Sequence, residues 1–261
     1  MPITKTKISA LVLSILFLSG SLSHAADANT ESPVLVELFT SEGCSSCPPA
    51  DAWLERMDSS QPLPGAHLIV LSEHVDYWNH DGWKDPYSSA LITERQTDYV
   101  GALKLKTPYT PQVIVDGATE LRLTDDQQME KTFQQAGTSP KISVSITAAT
   151  VDPANPAVLH AHVEVGENSS DHNADIYEAI ALDHAESQVL RGENSGKHLT
   201  HVAVVQSLTR IGKLEKSKSF SKDIEVKLKP GIDLKNIRLI VFAQESGPGK
   251  VLGAALQEGI R

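Results

Sequence analysis

After residue 25 the sequence has no apolar run approaching the ~20 residues that a bilayer-crossing helix needs, so no internal membrane-spanning helix is expected. Cysteine is nearly absent: Cys44 and Cys47 are the only two. With no second pair, a four-cysteine structural zinc site is excluded. Positive charge is also short, with 23 Lys and Arg against 33 Asp and Glu and a formal net charge of −10. An acidic surface of this kind argues against nucleic acid and anionic membrane as partners. There is no internal repeat and no low-complexity tract, so the chain reads as ordinary globular sequence.

The N-terminus is the exception to the first absence. Lys5 and Lys7 precede the apolar run Ile8 to Leu18, and the small-residue sequence Ser23-His24-Ala25 follows. This is the charged, apolar and cleavage-site order of a secretory signal peptide at residues 1–25. Its apolar run is short for a membrane anchor. Export would place the chain in the periplasm or outside the cell, where a cysteine pair can cycle or rest as a disulfide. Once the leader is cleaved, no membrane association is expected. About 235 residues then remain, enough for one large domain or two ordinary ones.

Cys44-Ser45-Ser46-Cys47 lies between the short apolar strand Val34 to Thr40 and a helix predicted over residues 48–59. Pro48 and Pro49 fit that helix only in its first turn, where no N–H is needed. A cysteine at a helix start meets unpaired backbone N–H groups and the positive end of the macrodipole, which favour thiolate over thiol. Cys44 is therefore the expected nucleophile, more exposed and more acidic, and Cys47 the resolving thiol. The competing reading is a plain stabilising disulfide, whose loop is too short to gain much from chain entropy.

From Pro33 to Gly137 strand and helix signals alternate. A second strand spans His67 to Ser72, and a helix Ser88 to Leu105. Pro111 to Val115 is a third strand, which Asp116-Gly117 turns into a fourth at Ala118 to Leu123. Thr124 with Gln127 forms a capping box for a last helix ended by Gly137. Beyond Ser139-Pro140 the texture changes to about seven alternating runs separated by turn residues, the pattern of a β-sandwich. The predicted fold is an α/β domain at 33–138 followed by an all-β sandwich at 140–261.

The order strand, C-x-x-C at a helix start, strand, helix, Thr-Pro leading a hairpin, then helix resembles the thioredoxin fold without its first strand and helix. More narrowly, VELFTSEGCSSCPPAD, HVDYWNHDGWKDPYS, TPQVIVDG and RGENSGKHLTHVAVVQ with VLGAA resemble the secreted DUF1223 family over nearly the whole mature chain. The thioredoxin resemblance implies a cis bond at Thr110-Pro111 facing the cysteines, with Thr110 free to pair with an extended substrate. An ordinary trans Pro111, or a cis bond at Thr107-Pro108, is the alternative. It also implies that Glu37, seven residues before Cys44, accepts the resolving thiol's proton. The other reading of Glu37 is a carboxylate paired with a cation. Ser45-Ser46 between the cysteines and Gly43 before them depart from thioredoxins and leave the direction of exchange open.

The loop from His74 to Tyr87 follows the second strand, at the sheet end where open α/β sheets bind ligands. Its Trp78 and Trp83 either cap that end or form a substrate groove, and its histidines can donate to a metal. His160 and His162 share a strand face, more as solvent-facing histidines than as ligands. Arg191 to Asn194, with His198 and His201, reads as a structural turn at a domain interface. The resulting expectation is an exported thiol-disulfide oxidoreductase acting on protein thiols and disulfides with Cys44, Cys47 and Glu37, contacting substrate through Thr110, Pro111, Trp78 and Trp83. No organic cofactor and no resident metal are implied. The runner-up is a Cu(I) carrier using both cysteines with His74 or His80.

Overall fold

The computed structural model describes residues 1–2, 31–152 and 155–260. The signal peptide expected at 1–25 lies, apart from Met1 and Pro2, outside the described residues. From Glu31 onward the chain is one compact unit. Among the described residues no helix is long and apolar enough to cross a membrane.

Strand β1 (Ser32–Thr40) is buried from Val34 to Thr40, because it has a neighbour on each side. β2 (Ala66–His74) runs parallel to it and β3 (Gln112–Val115) antiparallel. β4 (Thr119–Leu121) closes the hairpin after Asp116 and Gly117, both at positive φ. At Gly117 glycine is required twice over, since a Cβ there would strike the Gly249 carbonyl.

Helix α1 (Pro48–Ser60) has Cys47 as its N-cap and proline in its first turn, as the sequence predicts. Helix α2 (Ala90–Ala102) is capped by Ser89, whose hydroxyl accepts from the Leu91 N–H. Helix α3 (Asp126–Thr138) differs from expectation at both ends. Its N-cap is Asp125, whose carboxylate accepts the Gln128 N–H, rather than Thr124. Gly137 lies inside the last turn instead of ending the helix.

Alternation along β1 decides which side chains meet which helix. Thr40 donates to Asp51 of α1, whereas Phe39 stands edge-on against Tyr99 of α2. Trp53 of α1 stacks on Phe133 of α3, so α1 and α3 share one face of the sheet and α2 takes the other.

The seven later strands are present: β5 (Val144–Asp152), β6 (Asn155–Val165), β7 (Ala174–Gln188), β8 (His198–Leu214), β9 (Phe220–Lys227), β10 (Ile237–Glu245) and β11 (Val251–Glu258). Their arrangement corrects the expectation of a separate sandwich at 140–261. Four of them continue the first sheet, in the order β11-β10-β7-β8-β2-β1-β3-β4, and only β5-β6-β9 form a second sheet. The join is a parallel pairing of β2 with β8 at Ser72 and Val204. The physical reason is the edge of β2: buried on both faces, it needs a partner for its backbone groups, and β8 supplies one. Sandwich layering survives locally. Val163 and Ile224 of the small sheet pack with Ile180, Leu239 and Val241 of the large one in a second apolar core. The first core lies between the large sheet and the helices, around Leu35, Leu38, Leu54, Ile69 and Ile114.

Candidate functional site around the cysteine pair

Cys44 and Cys47 form a disulfide with Cα atoms 5.4 Å apart. The turn is built by backbone bonds from the Cys44 N–H to the Ser41 carbonyl and from the Cys47 N–H to the Cys44 carbonyl. The Cys47 carbonyl then accepts from Ala50 and Asp51 and starts α1. Thr110-Pro111 is the cis peptide bond among the described residues, and the Thr110 carbonyl oxygen lies 3.8 Å from Cys44 Sγ. Ser46 Oγ is 3.3 Å from the same sulfur. A disulfide sulfur carries no hydrogen, so that hydroxyl is the donor.

Both cysteines are fully buried, which corrects the expectation of an exposed Cys44. Ser45 and Ser46 are the exposed part of the turn. Two segments hold the turn that carries the sulfurs. The first is the loop after β2: Trp78 Nε1 donates to Thr110 Oγ1 at 2.8 Å, and Trp83 Nε1 to Glu42 Oε2 at 2.7 Å. Gly43 is needed beneath it, because a Cβ there would sit 2.9 Å from Trp78 Cβ. The second is the tip of the β7-β8 hairpin. Asn194, fully buried, donates to the carbonyls of Glu42 and Cys44 at 2.8 and 2.9 Å. Glu193 accepts from the Ser45 N–H, and this hydrogen bonding holds its carboxyl below the usual range.

Beside the disulfide lies a buried polar cluster drawn from four parts of the chain. His74, ending β2, pairs its Nδ1 with Asp85 Oδ2 at 2.7 Å, and the same oxygen accepts the Glu42 N–H at 2.9 Å. The His201 ring stands edge-on to His74, with centroids 4.7 Å apart. Glu42 and Asp51 flank His201, with Oε1 3.4 Å from Nε2 and Oδ2 3.8 Å from Nδ1. Burial depresses His74, but Asp85 together with Asp51 and Glu42 outweighs it and the imidazole pKa is raised. Burial raises Asp85, but His74 and two backbone N–H groups outweigh it and the carboxyl is lowered. Asp51 is raised, because burial exceeds the opposing effect of His201 and His74.

Glu37 is not part of this cluster, which corrects its assignment as the proton acceptor. It points to the α2 face, where Arg95 Nε donates to Oε1 at 2.7 Å and the Tyr99 hydroxyl to Oε2 at 2.6 Å. The reason is parity: Glu37 and Thr40 are three residues apart on a strand, so they face opposite layers. The cation-paired reading of Glu37 is the one that describes it. Neither candidate histidine of the soft-metal reading is exposed beside the sulfurs: His74 is buried on Asp85, and exposed His80 makes no resolved contact with the cysteines. Among the described residues no group of three or more His, Cys, Asp or Glu side chains is placed to hold a metal. His160 and His162 lie on the far small sheet opposite Glu225 and Asp223.

The sequence profile described as "Protein of unknown function (DUF1223)" matches residues 35–244. The chain belongs to the DUF1223 family. No curated protein matches it. Among solved structures it is similar to protein AGR_C_4864 from Agrobacterium tumefaciens, at 27% identity over 87% of this chain and 94% of that one, with a TM-score of 0.66. A match to the Pseudomonas fluorescens alkylpurine DNA glycosylase AlkC has a TM-score of 0.22 and 12% identity over 50% of this chain and 33% of that one, and carries no argument.

In this DUF1223 protein, the hairpin read from sequence as an interface turn holds the backbone of the cysteine-bearing turn through Asn194 and Glu193. Its hold can be measured. Leaving the buried Glu42 carbonyl without a donor costs about 1–3 kcal/mol, and the Cys44 carbonyl keeps only the Cys47 N–H, so Asn194→Ala should loosen that hold. Dithiothreitol is then expected to open Cys44–Cys47 roughly ten times faster than in the wild type. An unchanged opening rate would show that this hairpin is not the barrier.

Proposed function

We propose that this protein is an exported thiol-disulfide oxidoreductase of periplasmic or secreted location, with a thioredoxin-like arrangement over β1-α1-β2-α2-β3-β4-α3. The observation that carries the reading is the C-x-x-C disulfide at the start of α1, with the carbonyl of Thr110 3.8 Å from Cys44 Sγ. Unpaired N–H groups at a helix start stabilise a thiolate, as exchange requires. The Cys44 thiolate attacks a partner disulfide, one partner sulfur leaves as a thiolate and a mixed disulfide forms; Cys47 then attacks Cys44 Sγ, closing Cys44–Cys47 and releasing the reduced partner. An extended segment of the partner would lie along Thr110-Pro111, bordered by Trp78 and Trp83. Since both cysteines are fully buried, the partner's arrival must displace the Trp78 loop or the Asn194 hairpin. The side chains suffice for this chemistry, and no organic cofactor is invoked.

Cys47→Ser tests the reading. The attacking thiolate survives this change but cannot be displaced from its partner, so mixed disulfides on Cys44 should accumulate in the exported variant. Non-reducing gels should show specific adducts that vanish on reduction and that require Cys44. Absence of adducts would reject exchange. Stoichiometric copper on the wild type, lost in the variant, would favour the soft-metal carrier instead.

A further inference from the structure

Five of the eleven buried polar side-chain atoms that lack a hydrogen-bond partner among the described residues fall in the one cluster of Glu42, Asp51, His74 and His201. They are Glu42 Oε1, Asp51 Oδ2, His74 Nε2 and both ring nitrogens of His201. All four residues are at least nine-tenths buried, with exposures of 0, 5, 1 and 2%. Unpaired buried polar atoms are costly, and a cluster of them marks a place where function outweighs stability.

Their order distinguishes two uses. A metal site needs donors converging on one point, but Glu42 and Asp51 approach opposite nitrogens of the same imidazole, at 3.4 and 3.8 Å. One ion cannot be held by both carboxylates and the ring in that arrangement. A chain of carboxylate, imidazole and carboxylate is suited instead to moving a proton. A neutral imidazole donates from one nitrogen and accepts at the other, so a proton arriving at one edge releases one from the other. A shift of roughly half an ångström brings both gaps within hydrogen-bond range.

The ends of this chain bracket the disulfide. Asp51 lies one helical turn after Cys47 and donates its N–H to the Cys47 carbonyl at 3.1 Å. Glu42 lies two residues before Cys44, and its carbonyl is held by the same Asn194 side chain that holds Cys44. The outer oxygens are fixed: Thr40 Oγ1 donates to Asp51 Oδ1 at 2.7 Å and Trp83 Nε1 to Glu42 Oε2 at 2.7 Å. The other titratable groups facing the relay are His74, Asp85 through His74, and Tyr87, whose ring is 6.1 Å from that of His201.

We propose that Glu42, His201 and Asp51 form a buried proton relay serving the Cys44–Cys47 pair. The inference rests on the exchange reading and adds its proton path. In the opening step a partner thiolate attacks Cys44 Sγ, a new S–S bond forms, the Cys44–Cys47 bond breaks, and its electron pair leaves on Cys47. The relay gives that thiolate a proton through Asp51, which becomes a carboxylate and is reprotonated from His201 Nδ1, while His201 Nε2 takes, by way of Glu42, the proton that the partner's thiol released on becoming the attacking thiolate. Closure reverses each step: Asp51 takes the Cys47 proton, and the thiolate so formed expels the partner. Burial favours the protonated form of Asp51, as a proton donor at this position requires.

The test is the rate at which dithiothreitol opens the disulfide of the full chain, measured against pH. Positioned proton transfer contributes typically 10²–10⁴-fold. His201→Gln and Asp51→Asn are expected to slow opening by roughly a hundredfold below the thiol pKa and to remove an inflection from the wild-type profile. Asp171→Asn, at an exposed ion pair with Lys216, should leave the profile unchanged. Glu42→Gln, which preserves shape, reads the same profile if either principal variant does not fold. Profiles that superimpose on the wild type in the folded variants would overturn the relay. The two readings fail separately: without adducts on Cys47→Ser exchange is rejected, whereas dithiothreitol opening reports on the relay in either case.

Discussion

Arg95→Met is expected to destabilise the protein by about 3–5 kcal/mol, the range for breaking a buried ion pair by removing one partner. For a unit of this size that corresponds to a fall in Tm of roughly 6–20 °C. Arg95 is buried in α2 with Nε on Glu37, and Nη2 on the Tyr99 hydroxyl and Gln244 Oε1 at 3.0 and 3.2 Å. Its guanidinium also lies over the rings of Tyr99, Tyr177 and Phe242, at 5.0, 5.7 and 5.4 Å. Methionine fills much of the volume but leaves the Glu37 carboxylate without its cation. Glu73 sits 3.6 Å from Arg95 Nε, with its carboxyl raised well above the usual range by burial and by Glu37. The two carboxyls thus share one cation, Arg95. Because the cost comes from the orphaned charge, Glu37→Met combined with Arg95→Met should recover much of the loss. Thermal and denaturant unfolding at neutral pH would measure both. A loss under about 1 kcal/mol for the single variant would show that the ion pair is replaceable.

Asp85→Ala is expected to cost about 3–5 kcal/mol at pH 5, because it removes a charged acceptor from several buried groups at once. Asp85 Oδ2 serves His74 Nδ1 and the Glu42 N–H, and Oδ1 serves the Tyr87 N–H at 2.9 Å. The loss should depend on pH with a definite sign at each end. Asp85 is lowered from its ordinary 3.8 in the folded state, so its contribution is present above that value and is lost as pH falls through the folded pKa. His74 is raised from 6.5, so its contribution is complete below that value and is lost as pH rises through the folded pKa. The difference between variant and wild type should thus be widest between about pH 4 and 6.5 and narrow on both sides. Denaturant midpoints from pH 3 to 9 measure it. A difference that stays flat across that range would mean the two groups do not titrate as a pair.

Much of the first half is legible in the sequence, because local signals and tertiary needs agree there. The apolar run Val34 to Phe39 is a central strand, proline at the first turn marks α1, and Asp116-Gly117 supplies the two left-handed residues of the hairpin. The seven later strands are legible too, from alternation and turn residues. Their pairing is not, since nothing local in Val204 names Ser72 as its neighbour. The boundary near Pro140 marks a change from helices to strands, and the same change is compatible with one continuous sheet or two domains.

In the site, Cys44, Cys47, Thr110, Trp78 and Trp83 are brought together as their positions suggest, while Glu37 is not. Glu42, Asp51, Asp85 and Asn194 carry no site role in the sequence reading. A usable signal exists for two of them: Glu42 is an acid just past the end of an apolar strand, and Asp51 is an acid in the first turn of α1 beside buried Ala50 and Trp53.

By itself the sequence determined the strand and helix periods, the disulfide-forming spacing and the helix start at Cys47, because each depends on bonds and contacts within a few residues. Tertiary structure alone decided that Glu37 meets Arg95 rather than the cysteines, and that Asn194 and His201 reach the site from about 150 residues away. Those outcomes follow from the two-residue alternation of β1 and from the pairing of β2 with β8. Both are set by which faces must be buried once the whole sheet forms.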